Sequence, residues 1–151
     1  MSLGLSLHVL ATAIWLGGLF FAYAVLRPSA YVLEPTQQLT LSHRALGRFF
    51  VWAWISVGTL IASGFAMLLL AFGGFAAVPL HVRAMMALGV ASVLAFAYLY
   101  FAPWRRFARA VHSTDWTSAE RKLRQVRYVV AALLVLAAVA AVIGAGGRYY
   151  A

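Results

Sequence analysis

Tyr128-Val-Val-Ala-Ala-Leu-Leu-Val-Leu-Ala-Ala-Val-Ala-Ala-Val-Ile-Gly-Ala-Gly-Gly147 contains no charged side chain and no polar one after its opening tyrosine. At 1.5 Å per residue this stretch forms a helix of about 30 Å, the thickness of a bilayer's hydrocarbon core. It shows no alternation of period two, and in lipid each backbone polar group must be satisfied within its own segment, so the stretch predicts a membrane helix. Working back along the chain, residues 1–26, 49–80 and 84–104 are equally free of Asp, Glu, Lys and Arg. Residues 49–80 are too few for two crossings, and Phe72-Gly-Gly-Phe-Ala-Ala-Val-Pro79 reads as a tight turn with Pro79 opening the next helix. The expectation is an all-α integral membrane protein: a four-helix bundle forming one domain over residues 1–151, with spans near 3–26, 49–72, 80–103 and 127–147.

Composition agrees, since 65% of the 151 residues are hydrophobic, 10% are charged and the mean hydropathy is +0.91. The absence of cysteine removes disulfides, thiolate metal sites and thiol catalysis. Twelve Lys and Arg against three acids could suggest nucleic acid, but their distribution gives another reading. Arg27, Arg44 and Arg48 flank the first connection, and Arg105, Arg106, Arg109, Arg121, Lys122, Arg124 and Arg127 crowd the third. By the positive-inside bias these two connections are cytoplasmic in an inner (plasma) membrane, both termini face outward, and the partner of the basic side chains is the lipid bilayer rather than nucleic acid. Ala22-Tyr23-Ala24 has the look of a signal cleavage site, yet the segment before it lacks a cationic start and is read as a helix. Small residues at spacings of four, Gly58, Ala62 and Ala66 and again Ala137, Ala141 and Ala145, are expected to face neighbouring helices.

Polar side chains inside a bilayer are functional candidates because they are costly there. His8 lies about 8 Å below the outer end of the first span at 1.5 Å per residue. His81 and Arg83 open the third span, with Met85 on the face of His81, and Met67 lies near the outer end of the second. All fall at one depth, so three helices are expected to converge there. On the first helix His8, Thr12, Trp15 and Leu19 share one face, and Gly17-Gly18 gives a smooth patch for a backbone or a flat ligand. Each group has a plainer reading too: a histidine bonded to a backbone carbonyl, an arginine reaching headgroups, methionines filling gaps. His43 and His112 are read as solvated residues of the basic connections. With Glu34, Asp115 and Glu120 all outside the spans, paired-carboxylate and Ser/His/Asp chemistry are disfavoured, and Gly73-Gly74 lacks the context of a phosphate loop.

The stretch Leu7-His8-Val-Leu-Ala-Thr-Ala-Ile-Trp15-Leu-Gly17-Gly18-Leu-Phe-Phe resembles the first helix of the CopD-type copper-resistance membrane proteins. It is similar as well to the related HemJ-type protoporphyrinogen oxidases, which have a histidine, a tryptophan seven on and a glycine three beyond. Leu80-His81-Val-Arg83 resembles the HemJ-type signature Leu-His-x-Lys, with Arg83 in the place of the lysine. Arginine cannot be deprotonated to ligate a metal, so this departure weighs against the oxidase activity.

Two cofactor readings follow. Haem b would need an axial imidazole from His8, with His81 as a second, an apolar slot beside Trp15, Gly18 and Phe65, and propionate partners in Arg83 and Arg148. The function would then be electron transfer or porphyrin oxidation, as a haem-dependent oxidoreductase with a membrane electron donor or acceptor. Copper is the alternative, since Cu(I) favours imidazole and thioether donors, which His8, His81, Met67 and Met85 supply. The inner halves of the spans hold no further Met, His or carboxylate to carry a transport path. The third reading is a structural subunit with no cofactor.

Overall fold

The structure is a computed structural model describing residues 2–74 and 78–147; Arg148 lies outside them. The described residues are helical almost throughout and contain no strand. Four rods are long and apolar enough to cross a membrane: Leu3–Val32, Pro35–Ala71, Leu80–His112 and Trp116–Gly146. The first rod consists of α1 (Ser2–Phe20), a π-helical stretch Phe21–Leu26, the short α2 (Arg27–Ser29) and a 3-10 turn Ala30–Val32. The second is α3 (Pro35–Phe72); the third is α4 (Leu80–Leu99), a π-helical stretch Tyr100–Trp104 and α5 (Arg105–His112); the fourth is α6 (Trp116–Gly146).

Each apolar run expected from the sequence therefore sits inside a longer helix. The 38 residues of α3 rise about 57 Å, well beyond a hydrocarbon core of about 30 Å. The basic segments expected to be connections, around residues 27–48 and 105–127, are helical extensions of the rods. Only Leu33 and Glu34 separate the first rod from α3, and residues 113–115 separate α5 from α6. Pro35 starts α3, where its missing N–H is harmless. Asp115 caps α6, its carboxylate accepting the Ser118 N–H at 3.1 Å after a left-handed Thr114 (φ 55°). At the opposite end Gly73 closes α3 at φ 64°, which a side chain would strain.

Both π-helical stretches border a proline. Pro28 follows the first and Pro103 lies inside the second. A proline cannot donate to the carbonyl four residues back and crowds it, and a widened turn relieves both problems without ending the helix.

The rods assemble as two close pairs, α1 against α3 and α4 against α6, with α1 also meeting α6. Aromatic side chains lock the centre. Phe96 of α4 takes the edge of Trp15 at 4.9 Å and the Trp54 ring of α3 at 5.0 Å, and Phe50 meets Trp104 at 4.8 Å. Because lipid removes the drive to hide apolar surface, this dense ring packing is what holds the pairs to one another, each contact contributing about 0.5–1.5 kcal/mol beyond its area.

Two expectations are corrected. Gly58, Ala62 and Ala66 are exposed on the outside of α3, whose inner face is Ala53, Ser56, Val57 and Ser63; of the α6 stripe, Ala137 is buried, Ala141 is half-buried and Ala145 is exposed. His43 is no loop residue. It sits within α3, stacked on Trp104 at 5.3 Å with the exposed His112 edge-on at 5.1 Å, because the helix begins well before the apolar span.

Candidate functional site

At the end of the bundle away from the two arginine-rich segments, α1 and α3 bring a histidine against a serine. His8 Nδ1 lies 2.8 Å from Ser63 Oγ. Ser63 has one hydroxyl proton, and its Oγ stands 2.6 Å from the Thr59 carbonyl, to which that proton is donated. When that hydroxyl donates to the Thr59 carbonyl its oxygen accepts from the imidazole, an arrangement that puts the His8 proton on Nδ1 and leaves a lone pair on Nε2. An outer partner that fixes the tautomer in this way is the usual support of a metal-ligating histidine. The Thr12 hydroxyl bonds back to the His8 carbonyl at 2.8 Å and stays clear of the ring.

Glycines let the two helices close on this point. A Cβ on Gly64 would stand 3.8 Å from His8 Cε1, and one on Gly4 would stand 3.9 Å from Met67 Cγ. His8 and Met67 thus share the α1/α3 interface within about a turn of each other.

The other two sequence candidates lie across the bundle in the α4/α6 interface. His81 packs so tightly on Gly147 that a Cβ there would come within 2.6 Å of its ring, and Met85 Sδ would be 2.6 Å from a Cβ on Gly144. The structure therefore gathers the four donors as two pairs, each a histidine and a methionine on one helix interface. No hydrogen bond or ring contact among the described residues joins His8 to His81. Arg83 takes a local role: its Nε donates to the Val78 carbonyl at 3.0 Å, bracing the start of α4.

The residues proposed to line a haem are already in contact with protein. Trp15 is only 4% exposed and packed on Phe96, the Phe49 ring lies directly on Gly18, and Phe65 faces outward, 54% exposed. A macrocycle needs a slot of several hundred Å3; Trp15 and the Phe49 ring on Gly18 fill the space it would take and Phe65 points away from it, so the residues do not fit haem. Arg148, the second propionate partner, is outside the described residues.

Sequence reading missed Ser63 and the four glycines at positions 4, 64, 144 and 147. Ser63 carried a signal, being a hydroxyl seven residues beyond Ser56 on the inner face of a long apolar helix. The glycines carried none, because a glycine reads the same whether a side chain or lipid faces it.

These features define a class: a multi-pass helical membrane protein with half-buried imidazole and thioether side chains between helices near one end. The family model of copper resistance protein D (CopD) matches residues 43–146, the greater part of the chain. The protein belongs to the CopD family. The match contains Met67, His81, Arg83 and Met85 and begins after the first rod, which carries His8, Trp15 and Gly18. No curated protein and no solved structure matches the chain.

Proposed function

We infer that the protein is a copper-binding membrane protein that takes Cu(I) near its histidine end, with His8 Nε2 and the Met67 thioether as the first donors and His81 with Met85 as a second set. The observation that carries this reading is the 2.8 Å contact of His8 Nδ1 with Ser63 Oγ, itself 2.6 Å from the Thr59 carbonyl, an arrangement that favours the tautomer with Nε2 free. Imidazole and thioether are the donors that Cu(I) prefers, and no cysteine competes with them. Membership of a copper-resistance family supports the same metal. With the basic end at the cytoplasmic face of an inner membrane, this donor set faces outward and meets copper before it crosses. Binding at that face is the function proposed. The proposed donors lie at one end of the bundle and the His43/His112 pair at the other, with no Met, His or carboxylate on the spans between them, so carriage across the membrane falls to another component or to an assembly of copies.

The test is a Cu(I) titration of the detergent-purified full chain, reduced with ascorbate and read against a chromogenic Cu(I) chelator. Stoichiometric copper in the wild type that is lost in His8→Ala supports the proposal. Undiminished binding in that variant overturns it. A Soret band that shifts on reduction and disappears in His8→Ala would return the assignment to haem.

A further inference from the structure

The opposite end of the bundle holds a cleft that the copper reading leaves unused. It lies between the first rod, α3 and α6, with Tyr23, Arg27, Ser42 and Arg127 around it and apolar side chains such as Leu46 and Val130 on its wall. The cleft is small and partly open, with a volume of about 20 Å3, enough for one water or one ligand oxygen while the rest of a group stays at the mouth. The cleft borders the π-helical stretch Phe21–Leu26, which contributes Ala22, Tyr23 and Leu26 to its lining. Such widened turns recur at functional positions.

Two arginines from different rods, Arg127 with a half-buried guanidinium and Arg27 with a largely exposed one, stand at one cleft that no carboxylate lines. Arg27 lies over the Tyr23 ring at 5.4 Å and gives its Nε to the Tyr31 hydroxyl at 3.4 Å. Arginines reaching for bulk water along a membrane surface would diverge to gain hydration and reduce their mutual repulsion. Two arginines at one cleft whose lining holds no carboxylate suit an anion, and guanidinium nitrogens match the oxygens of a phosphate.

Depth identifies the source of that phosphate. At 1.5 Å per residue the rise from Leu3 to Arg27 is about 36 Å, and from Gly146 back to Arg127 about 29 Å. Both guanidiniums therefore reach the edge of a hydrocarbon core about 30 Å thick, where headgroup phosphates lie. Cations at the rim and an apolar wall behind them suit a molecule with an anionic head and a hydrocarbon tail. We propose that this cleft binds an anionic phospholipid, its phosphodiester between Arg27 and Arg127 and an acyl chain along the apolar wall.

Native mass spectrometry of the full chain released from detergent, supplied with phosphatidylglycerol, phosphatidylcholine or inorganic phosphate, tests the proposal. Retention of phosphatidylglycerol over phosphatidylcholine is expected, falling at least tenfold in R27Q/R127Q. R106Q/R124Q removes two charges from exposed positions outside the cleft lining and should leave retention unchanged. R127K keeps the charge and the fold but loses the paired donors, and a several-fold loss is expected there even if the double variant fails to purify. Equal retention in R127K and the wild type, an equal loss in R106Q/R124Q, or inorganic phosphate displacing the lipid at millimolar concentration would each overturn the proposal.

Discussion

The two close helix pairs hold the same kinds of side chain by different means. In α1/α3 the histidine is held by a hydrogen bond, His8 to Ser63 at 2.8 Å, and the facing glycine leaves ordinary contact distance. In α4/α6 the histidine is held by shape, His81 being pressed on Gly147 with space for no side chain at that position. The rods carrying His8 and His81 resemble each other further, since each has a proline in or just after a π-helical stretch at the basic end. Against that shared layout the contrast is informative. A hydrogen bond to Nδ1 fixes which nitrogen is free to act, whereas steric packing fixes only where the ring lies. On the proposed copper reading the first pair carries the principal ligand, and the second is held by packing.

Copper binding should separate the pairs most sharply. His8→Ala is expected to lower Cu(I) affinity at least 100-fold, and His81→Ala by several-fold, in chelator competition on the purified chain. The reverse order would show that the packed histidine is the principal ligand and that the Ser63 bond is only structural. Ser63→Ala keeps the imidazole and removes its support; by analogy with other outer-shell partners it should cost roughly 10–100-fold in affinity. An unchanged affinity there would mean that the tautomer needs no fixing.

A second test reads stability instead of metal. Gly147→Ala and Gly144→Ala drive a methyl into His81 or Met85, and overpacking of this kind costs about 1–3 kcal/mol. Met85 is a flexible chain that can swing aside, so Gly144→Ala should fall at the lower end of that range and Gly147→Ala, against a ring and its Cβ, at the upper. Gly64→Ala and Gly4→Ala meet their neighbours at 3.8 and 3.9 Å and should be close to neutral. Unfolding in detergent followed by helical signal would measure all four, and a large loss in the second two with none in the first two would invert the comparison.

The legible part of this molecule is the part that lipid dictates. The four apolar runs gave four membrane-length helices, because a bilayer leaves a chain of this composition no other backbone solution. The ends of those helices were not legible. Residues such as Arg44, Arg48, Arg121 and Arg124 look like loop residues when charge is the criterion, yet they ride on the exposed faces of helices that continue beyond the hydrocarbon. At the site, the histidines and methionines stood out as polar or soft groups in apolar surroundings, and their depth followed from counting residues. Their partition into two pairs did not, since it depends on which helices touch. Period alone also could not tell the inner from the outer face of α3, where Gly58, Ala62 and Ala66 made as regular a stripe as Ser56 and Ser63.

The smallest effect lies in the turns that close the two pairs. Asp115 caps α6 through its side chain, whereas Glu34, in the equivalent place before α3, makes no side-chain cap bond. Hydrogen bonds from the Ser118 hydroxyl and then its backbone N–H hold the Asp115 carboxyl below its ordinary value of 3.8, with Arg121 and Lys122 adding to the shift. A carboxyl whose value is lower folded than unfolded stabilises the fold in full above the unfolded value, and that contribution is lost as the pH falls through the lowered one. Asp115→Asn keeps a capping oxygen and removes the charge, so it isolates this contribution. The wild type should melt slightly higher than Asp115→Asn at neutral pH, and the two should converge as the pH drops below about 4. Glu34→Gln should show no comparable gap if capping is the cause. A gap that persists in acid would assign the stabilisation of this turn to the shape of the side chain and not to its charge, placing Asp115 with His81 among the groups held by packing.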